Sequence, residues 1–203
     1  MASAYLHRLR SAVPGLRDRP SRKRLKTSLA TATRMALTDV LTGLPNRRAL
    51  DTELVRELER ARRHDSPMCV MIVDLDHFKA VNDERGHPAA DLLLKEIAAS
   101  WRDELRVTDF LARSALLARY GGEEFVVLLP DCDQHDAVAV ADRMRAAMPA
   151  PQTCSAGIAR WDTFEVPGEL LARADRALYH AKHTGRDRVV FSTGRARDRM
   201  EAQ

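Results

Sequence analysis

The sequence predicts an α/β (α+β) fold in which a single sheet, built on a β-α-β-β-α-β core, is covered by helices. Short apolar runs typical of buried strands alternate with amphipathic helical patterns, and one hairpin interrupts the alternation. The 203 residues, 45% hydrophobic and 31% charged, suffice for one globular domain and an appendage. No run approaches the roughly 18 apolar residues that a membrane-spanning helix needs.

The N-terminal appendage is strongly basic. Residues 1–34 carry nine Lys and Arg against one acid, Asp18, whereas residues 35–203 carry 24 bases and 28 acids. Such a segment could tether the protein to nucleic acid or to an anionic membrane, but Tyr5 is its one aromatic residue and it contains no binding motif. We therefore favour a solvated leader and expect no specific nucleic-acid binding.

Pro14-Gly15 and Pro20 punctuate the leader, and residues 21–37 could form a helix that leads into the domain. We expect residues 1–35 to be the leader or linker helix, 36–195 the globular domain and 196–203 a tail. Arginines interrupt the N-terminal apolar pattern every few residues, unlike a secretory signal, which predicts a cytoplasmic protein. The three cysteines are widely spaced and suggest reduced packing residues: Cys69, Cys132 and Cys154.

The first half of the domain contains two helical patterns around a strand. Asn46 is a plausible N-cap for a helix that runs to about residue 64, with its apolar side chains at Leu50, Leu54 and Leu58. The apolar run "PMCVMIVDLD" predicts a buried strand, and residues 89–104 predict an amphipathic helix.

The second half begins with the clearest hairpin, "ARYGGEEFVVLLP", in which we expect Gly121 and Gly122 to make the turn and Pro130 to end the second strand. A helix over about 134–147, a strand at "TCSAGIA", a helix over about 168–183 and a last strand at "DRVVF" follow.

Four acids could form a metal site. Asp74 and Asp76 are two residues apart at the end of a strand, so their carboxylates would project to one side, and the hairpin turn supplies Glu123 and Glu124. Repelling carboxylates are stabilised by a cation, and hard oxygen ligands suit Mg²⁺. The alternative is that acids at strand ends are merely solvated.

Cations lie near these acids in the sequence. Lys79, Lys182 and Arg186 could each be ordinary surface charge, but together they would neutralise a triphosphate. Gly121 and Gly122 lack a Cβ and would let a ligand approach the backbone closely.

Five ordered segments, "DVLTGLPNRR", "DLDHFKAVNDERGH", "RYGGEEF", "TCSAGIA" and "ADRALYHAKHTGRDRV", resemble the GGDEF family of diguanylate cyclases over about residues 36–192, with a GGEEF variant of the turn. The resemblance implies a palm-like sheet similar to that of nucleotidyl cyclases and polymerases. It also implies condensation of two GTP molecules into cyclic di-GMP and two pyrophosphates, with Mg²⁺, or Mn²⁺ as an alternative, as the cofactor.

The resemblance also assigns roles. Metal ligands would be Asp74, the Leu75 carbonyl and Glu123. Catalysis would involve Glu124 as the base, although Glu123 is the alternative, and Lys79 for charge stabilisation. The guanine would contact Asn82 and Asp91, with His87 near the nucleotide. The phosphates would contact the His77 and Phe78 amides, Lys182 and Arg186.

Because each 3′-hydroxyl must attack the other nucleotide, the resemblance implies a homodimer, for which the leader or a missing upstream sensory module is the natural dimerising element. The alternative is a silent domain that binds GTP or cyclic di-GMP and signals by contact. Two departures from the family's usual residues, Asp187 for Asn and Ala90 for Gly, remove no ligand.

The tripeptide Leu-Ala-Arg occurs twice within residues 108–120, six residues apart. The family's inhibitory product site, Arg-x-x-Asp, corresponds to Arg106 and Asp109 when counted from Asp91, but is absent when counted back from Gly121. A six-residue duplication explains the difference. An even insertion preserves strand alternation, so we expect the turn to survive. Whether Arg106 and Asp109 still bind product is left open.

Overall fold

The structure, a computed structural model, describes residues 31–107 and 115–192. Residues 31–37 are helical. The helices that follow are α1 (Arg47–His64), α2 (Phe78–Val107), α3 (Gln134–Ala146) and α4 (Pro167–His183). The strands are β1 (Met68–Leu75), β2 (Leu116–Gly121), β3 (Glu124–Pro130), β4 (Cys154–Arg160) and β5 (Val189–Phe191). Most of the expected leader helix, the first Leu-Ala-Arg copy and Asp109 lie outside the described residues.

The five strands form one mixed sheet in the order β2-β3-β1-β4-β5. The first four strands pair antiparallel, and β5 pairs parallel to β4. The predicted fold class is confirmed. The central strand β1 is buried along its whole length, which explains why its sequence is a continuous apolar run.

Each face of the sheet has its own hydrophobic core. Met71 and Val73 of β1 point into a core formed with α2 and α3, whereas Val70 and Ile72 point into a core formed with α1 and α4. This alternation is the period of two expected of a strand. The helices therefore cover both faces of the sheet.

Helix α1 begins and ends where its sequence predicts. The Asn46 side chain accepts a hydrogen bond from the Ala49 amide at 3.2 Å, which caps the first turn. The predicted apolar stripe is buried: Leu50, Leu54 and Leu58. The helix stops at Asp65, whose φ of 50° is left-handed.

Helix α2 is longer than predicted. It starts at Phe78 rather than near residue 89, and its two halves meet at a kink where Gly86 has φ 76° and ψ 163°. Pro88 follows immediately within the helix. Gly and Pro weaken the helical pattern of the first half, so the sequence indicates only the second.

The hairpin is confirmed, but its turn differs from the prediction. Gly121 pairs with Glu124, so the two turn residues are Gly122 and Glu123 rather than the two glycines. Only Gly122 of the glycine pair has a left-handed φ, of 51°. The register shifts between Arg119 and Gly121, as in a β-bulge.

Helix α4 lies directly on β4. A Cβ at Gly157 would stand 2.1 Å from the Leu178 backbone nitrogen and 2.2 Å from the Ala174 carbonyl oxygen. Only glycine permits this close approach. The packing of α4 brings Lys182, one residue before its end, to the C-terminal end of β1.

The three cysteines are free and buried, as predicted, and burial raises the pKa of each thiol to about 12. None of the helices in the described ranges is long and apolar enough to cross a membrane.

Candidate active site

The C-terminal end of β1 brings together a carboxylate and a cation. Asp74 is 6% exposed, and its Oδ2 atom lies 2.8 Å from Nζ of Lys182 on α4. Asp74 is paired with Glu124 in the sheet register, and the Leu75 amide donates to the Glu123 carbonyl at 3.4 Å. The strand end and the hairpin turn therefore meet, which is the condition on which the candidate metal site depends.

The pKa of Asp74 reflects its burial first and its charged neighbours second. Burial raises the pKa of its carboxyl to about 6; hydrogen bonding and charge from Lys182 oppose the shift, and Glu123 and Glu124 add to it. A second cation near these three carboxylates would lower their mutual repulsion.

The donor set suits Mg²⁺ only in part. Among residues 31–107 and 115–192, no three His, Cys, Asp or Glu side chains are arranged to hold a metal ion. Mg²⁺, however, commonly binds one or two protein carboxylates and completes its shell with water and substrate phosphates. Asp74 and Glu123, with the Leu75 carbonyl, fit that incomplete coordination.

Asp76 does not join this cluster, so the expectation that it lies beside Asp74 as a metal ligand is wrong. Its carboxylate accepts hydrogen bonds from Ser155 Oγ at 2.7 Å, Thr153 Oγ1 at 2.8 Å and the Asp187 amide at 3.0 Å. Asp76 follows the last residue of β1, so the alternation of an extended strand no longer determines its direction. The 3%-exposed side chain joins β4 to the loop after α4.

The loop after α4 has three successive residues with positive φ, and contacts with Asp76 and Arg145 hold it in place. Gly185, Arg186 and Asp187 all have positive φ, of 123°, 59° and 44°. The Asp187 amide binds Asp76, and its carboxylate lies 2.8 Å from Nη1 of Arg145 on α3. A left-handed conformation suits Asn or Asp better than most residues, which explains why Asp is accepted here.

The turn between β1 and α2 presents two backbone amides. His77 is exposed and left-handed, with φ 56°, whereas the Phe78 side chain is buried in the core. Lys79 and Arg186 are exposed. The amides at the start of α2 and these cations could contact phosphate groups.

The first half of α2 holds Asn82, whose Oδ1 atom lies 3.0 Å from Nδ1 of His87 beyond the kink. Asn82 is half-buried, and Asp91 is exposed one turn further along α2. Two of the three side chains expected near the nucleotide base are therefore in contact.

A pair that sequence reasoning missed fixes the hairpin turn. Arg119 donates from Nε and Nη2 to the Gly122 carbonyl, at 2.9 and 2.8 Å, and from Nη1 to Asp39 Oδ1 at 3.1 Å. Asp39 also accepts from the Thr42 amide and hydroxyl. The D-x-x-T spacing could have indicated the local turn from Asp39 to Thr42. The ion pair between Asp39 and Arg119, however, joins residues 80 apart in the chain.

The family model for the GGDEF domain of diguanylate cyclases matches residues 36–188. The chain belongs to the GGDEF family. Diguanylate cyclase DgcP of Pseudomonas aeruginosa is 44% identical over 164 residues, which cover 76% of this chain and 24% of that protein. Response regulator PleD of Caulobacter vibrioides is 36% identical, over 82% of this chain and 38% of that protein. This chain thus spans well under half the length of these relatives.

Solved structures agree with this family membership. The coiled coil and GGDEF domain of DgcB from Caulobacter crescentus, in complex with cyclic di-GMP, has a TM-score of 0.77 at 28% identity, covering 94% of this chain and 98% of that chain. The active GGEEF domain of a diguanylate cyclase from Vibrio cholerae has a TM-score of 0.67 at 26% identity, covering 75% of this chain and 98% of that chain. GGDEF domains have the palm-like fold of nucleotidyl cyclases, so that expectation is confirmed.

The inhibitory site expected of a GGDEF domain is described only in part. Arg106 is exposed in the last turn of α2. Asp109, its expected partner, lies outside the described residues.

Proposed function

We propose that the chain is a diguanylate cyclase that condenses two GTP molecules into cyclic di-GMP and two pyrophosphates. The observation that carries the proposal is the buried Asp74 carboxylate, which lies beside Glu123, Glu124 and Lys182 at the end of the central strand. A GGDEF family match and relatives named diguanylate cyclase support the same activity.

The triphosphate would lie across the end of β1. We assign its phosphates to the His77 and Phe78 amides, Lys182 and Arg186, since cations and the amides at the start of a helix favour anions. Gly121 and Gly122 are exposed, and a Cβ at either would meet nothing within 4 Å, so the backbone there is open to a ligand. Asn82 and Asp91 would bind the guanine.

Asp74, Glu123 and the Leu75 carbonyl would hold Mg²⁺, or Mn²⁺ in its place. The bound ion supplies Lewis-acid activation and charge neutralisation at the phosphates. The protein's part is to pair Asp74 with Lys182, whose charge opposes the rise in the pKa of that carboxyl, and to hold the turn residue Glu123 against the end of β1.

Glu124 would accept the proton of the attacking 3′-hydroxyl. The 3′-oxygen then forms a bond to the α-phosphorus of the other GTP, the bond from that phosphorus to the bridging oxygen breaks, and pyrophosphate leaves. Lys79 would stabilise the negative charge that develops on the transferring group. Phosphoryl transfer depends more on such positioning and neutralisation than on covalent help.

Catalysis requires two copies of the domain. One domain holds one GTP, and each 3′-hydroxyl attacks the nucleotide held by the other copy, so a homodimer in which two sites face each other is needed. An upstream regulatory module would favour the dimer; one relative is named a response regulator. We also propose product inhibition through Arg106 and Asp109, and a cytoplasmic location.

Pyrophosphate release from GTP with Mg²⁺ tests the activity. Wild-type protein should release pyrophosphate, and Glu124→Ala should lower the rate by at least 100-fold because the base is lost. The matched control is Glu169→Ala, on the first turn of α4. GTP binding without pyrophosphate release by the wild type would instead favour the silent binding module.

A further inference from the structure

His87 contacts Asn82, the residue that we assign to guanine binding. Its Nδ1 atom lies 3.0 Å from Asn82 Oδ1. An amide oxygen only accepts hydrogen bonds, so this amide orientation requires the His87 tautomer that carries its proton on Nδ1. The Asn82 amide oxygen thereby faces His87, and the NH₂ group on the other side of the amide can face a ligand.

The contact depends on the kink in α2. Side chains three or four residues apart face each other on a regular helix, whereas Asn82 and His87 are five apart. Gly86, with φ 76° and ψ 163°, breaks the helix between them and lets the ring reach back to the amide. A glycine can adopt this φ without strain.

We infer that His87 is a positioning residue that selects guanine over adenine by fixing the orientation of the Asn82 amide. The inference rests on the proposed function, in which Asn82 and Asp91 bind the base. It gives His87 a role through Asn82 instead of a direct contact with the nucleotide.

The base chemistry gives the selection. Guanine presents the O6 acceptor where adenine presents the N6 amine, which is a donor. An Asn82 amide whose NH₂ group faces the base can donate a hydrogen bond to O6 of guanine. In adenine the same NH₂ group would face the N6 amine, which is also a donor, so no hydrogen bond forms. The Asp91 carboxylate accepts from the N1–H and N2 amine of guanine. Without the His87 proton donor, the amide can rotate by 180° and offer its oxygen to the base.

Two analogues separate the contacts at O6 and N2. Inosine triphosphate keeps O6 and lacks the N2 amine, whereas 2-aminoadenosine triphosphate keeps the N2 amine, has an amine in place of O6 and carries no proton on N1. Because the loss of the N1–H contact to Asp91 is the same in every variant, the change in preference that His87→Ala causes reports on O6. We would measure dissociation constants of GTP, ATP and both analogues by competition against a fluorescent GTP analogue. The proteins are the full chain, His87→Ala, His87→Gln and the control His135→Ala, whose side chain is 93% exposed at the start of α3.

For His87→Ala we expect the preference for GTP over 2-aminoadenosine triphosphate to fall about tenfold, the effect of one well-placed hydrogen bond. The preference for GTP over inosine triphosphate should stay unchanged, since it reports on Asp91. His87→Gln, which retains an N–H donor, should recover much of the selectivity, and His135→Ala should match the wild type.

Three results would overturn the inference, and they are distinguishable. Wild-type binding of GTP with unaltered selectivity in His87→Ala would refute the role of His87 and leave the proposed function intact. Failure of the wild type to prefer GTP over ATP would refute the guanine site itself, and with it both the proposed function and the role of His87. Equal loss of all four nucleotides in His87→Ala would indicate a structural role only.

Discussion

Arg119 holds the turn of the hairpin to Asp39. Its guanidinium donates to the Gly122 carbonyl and, at 3.1 Å, to the Asp39 carboxylate, and both side chains are largely buried, at 14% and 23% exposure. Although partial burial opposes the shift, hydrogen bonds from Thr42 and Arg119 keep the pKa of the Asp39 carboxyl below its ordinary value. The segment before α1 thereby fixes the backbone that leads into Glu123 and Glu124.

Replacing Asp39 should therefore loosen the turn without removing any ligand. For Asp39→Asn we expect kcat for pyrophosphate release to fall about tenfold and the free energy of unfolding to fall by about 1–2 kcal/mol, since a partly buried charged hydrogen bond is lost. Denaturant unfolding and steady-state kinetics measure the two quantities. Asp103→Asn, an exposed acid on α2, is the control. Wild-type kcat in Asp39→Asn would show that the turn is held without this pair.

The contact between β4 and α4 predicts a selective effect on stability. Gly157→Ala would place a methyl group 2.1 Å from backbone nitrogen of Leu178, and backbone cannot move aside as a flexible side chain can. We expect the free energy of unfolding to fall by about 3 kcal/mol, a typical cost of overpacking. Gly168→Ala, where nothing lies within 4 Å, should change it by less than about 0.5 kcal/mol. Equal unfolding midpoints for the two variants would contradict the close packing of α4.

The raised pKa of Asp74 predicts a pH dependence. A carboxyl whose pKa rises from 3.8 to about 6 binds its proton more tightly when folded. Its contribution to stability is therefore fully present below pH 3.8 and is lost as pH rises through about 6. Metal binding has the opposite sign because only the ionised form is a ligand.

We accordingly expect Mg²⁺ affinity to fall up to about tenfold per pH unit below pH 6. Titration of Mg²⁺ against activity, with GTP kept saturating, measures this between pH 5 and pH 8. Asp74→Asn, which cannot ionise, should bind Mg²⁺ weakly at every pH. A flat Mg²⁺ affinity in the wild type across this range would rule out Asp74 as the titrating ligand.

Product inhibition tests whether Arg106 still functions beside the repeated tripeptide. We expect added cyclic di-GMP to lower the rate of the wild type, whereas Arg106→Ala should keep its rate at the same product concentration, because a cation that pairs with the product's phosphates is lost. Arg102→Ala, also exposed and one turn earlier on α2, should remain inhibited. Inhibition of Arg106→Ala as strong as that of the wild type would place product binding elsewhere.

The sequence predicts the elements well where apolar periodicity is strong. Residue spacing alone predicts the buried strand β1 and the apolar stripe of α1. A strand buried on both faces requires a continuous apolar run, and a helix buried on one face requires apolar residues every three to four positions. The first half of α2 was not predicted because Gly86 and Pro88 interrupt the helical periodicity of its apolar residues.

The site could be predicted only in part. Acids at a strand end and in a hairpin turn indicate a candidate metal site only if the two meet, which the structure shows for Asp74 and the turn. The family resemblance assigns the roles of the remaining residues, and those roles stay predictions. The direction of the Asp76 side chain was predicted wrongly because β1 ends at Leu75, and side chains alternate between faces only within a strand. The pairing of Arg119 with Asp39, and of Arg145 with Asp187, joins residues 80 and 42 apart, and a single sequence does not reveal such contacts.

In the function that we propose, two copies of this domain join two GTP molecules into cyclic di-GMP. The most direct test is to identify the product by mass spectrometry after incubation with GTP and Mg²⁺, and to measure its rate of formation per protomer over a range of protein concentrations. We predict cyclic di-GMP, with a rate per protomer that rises with concentration until dimers are saturated. If protein that binds GTP forms no cyclic di-GMP at any concentration, the proposed diguanylate cyclase activity is wrong.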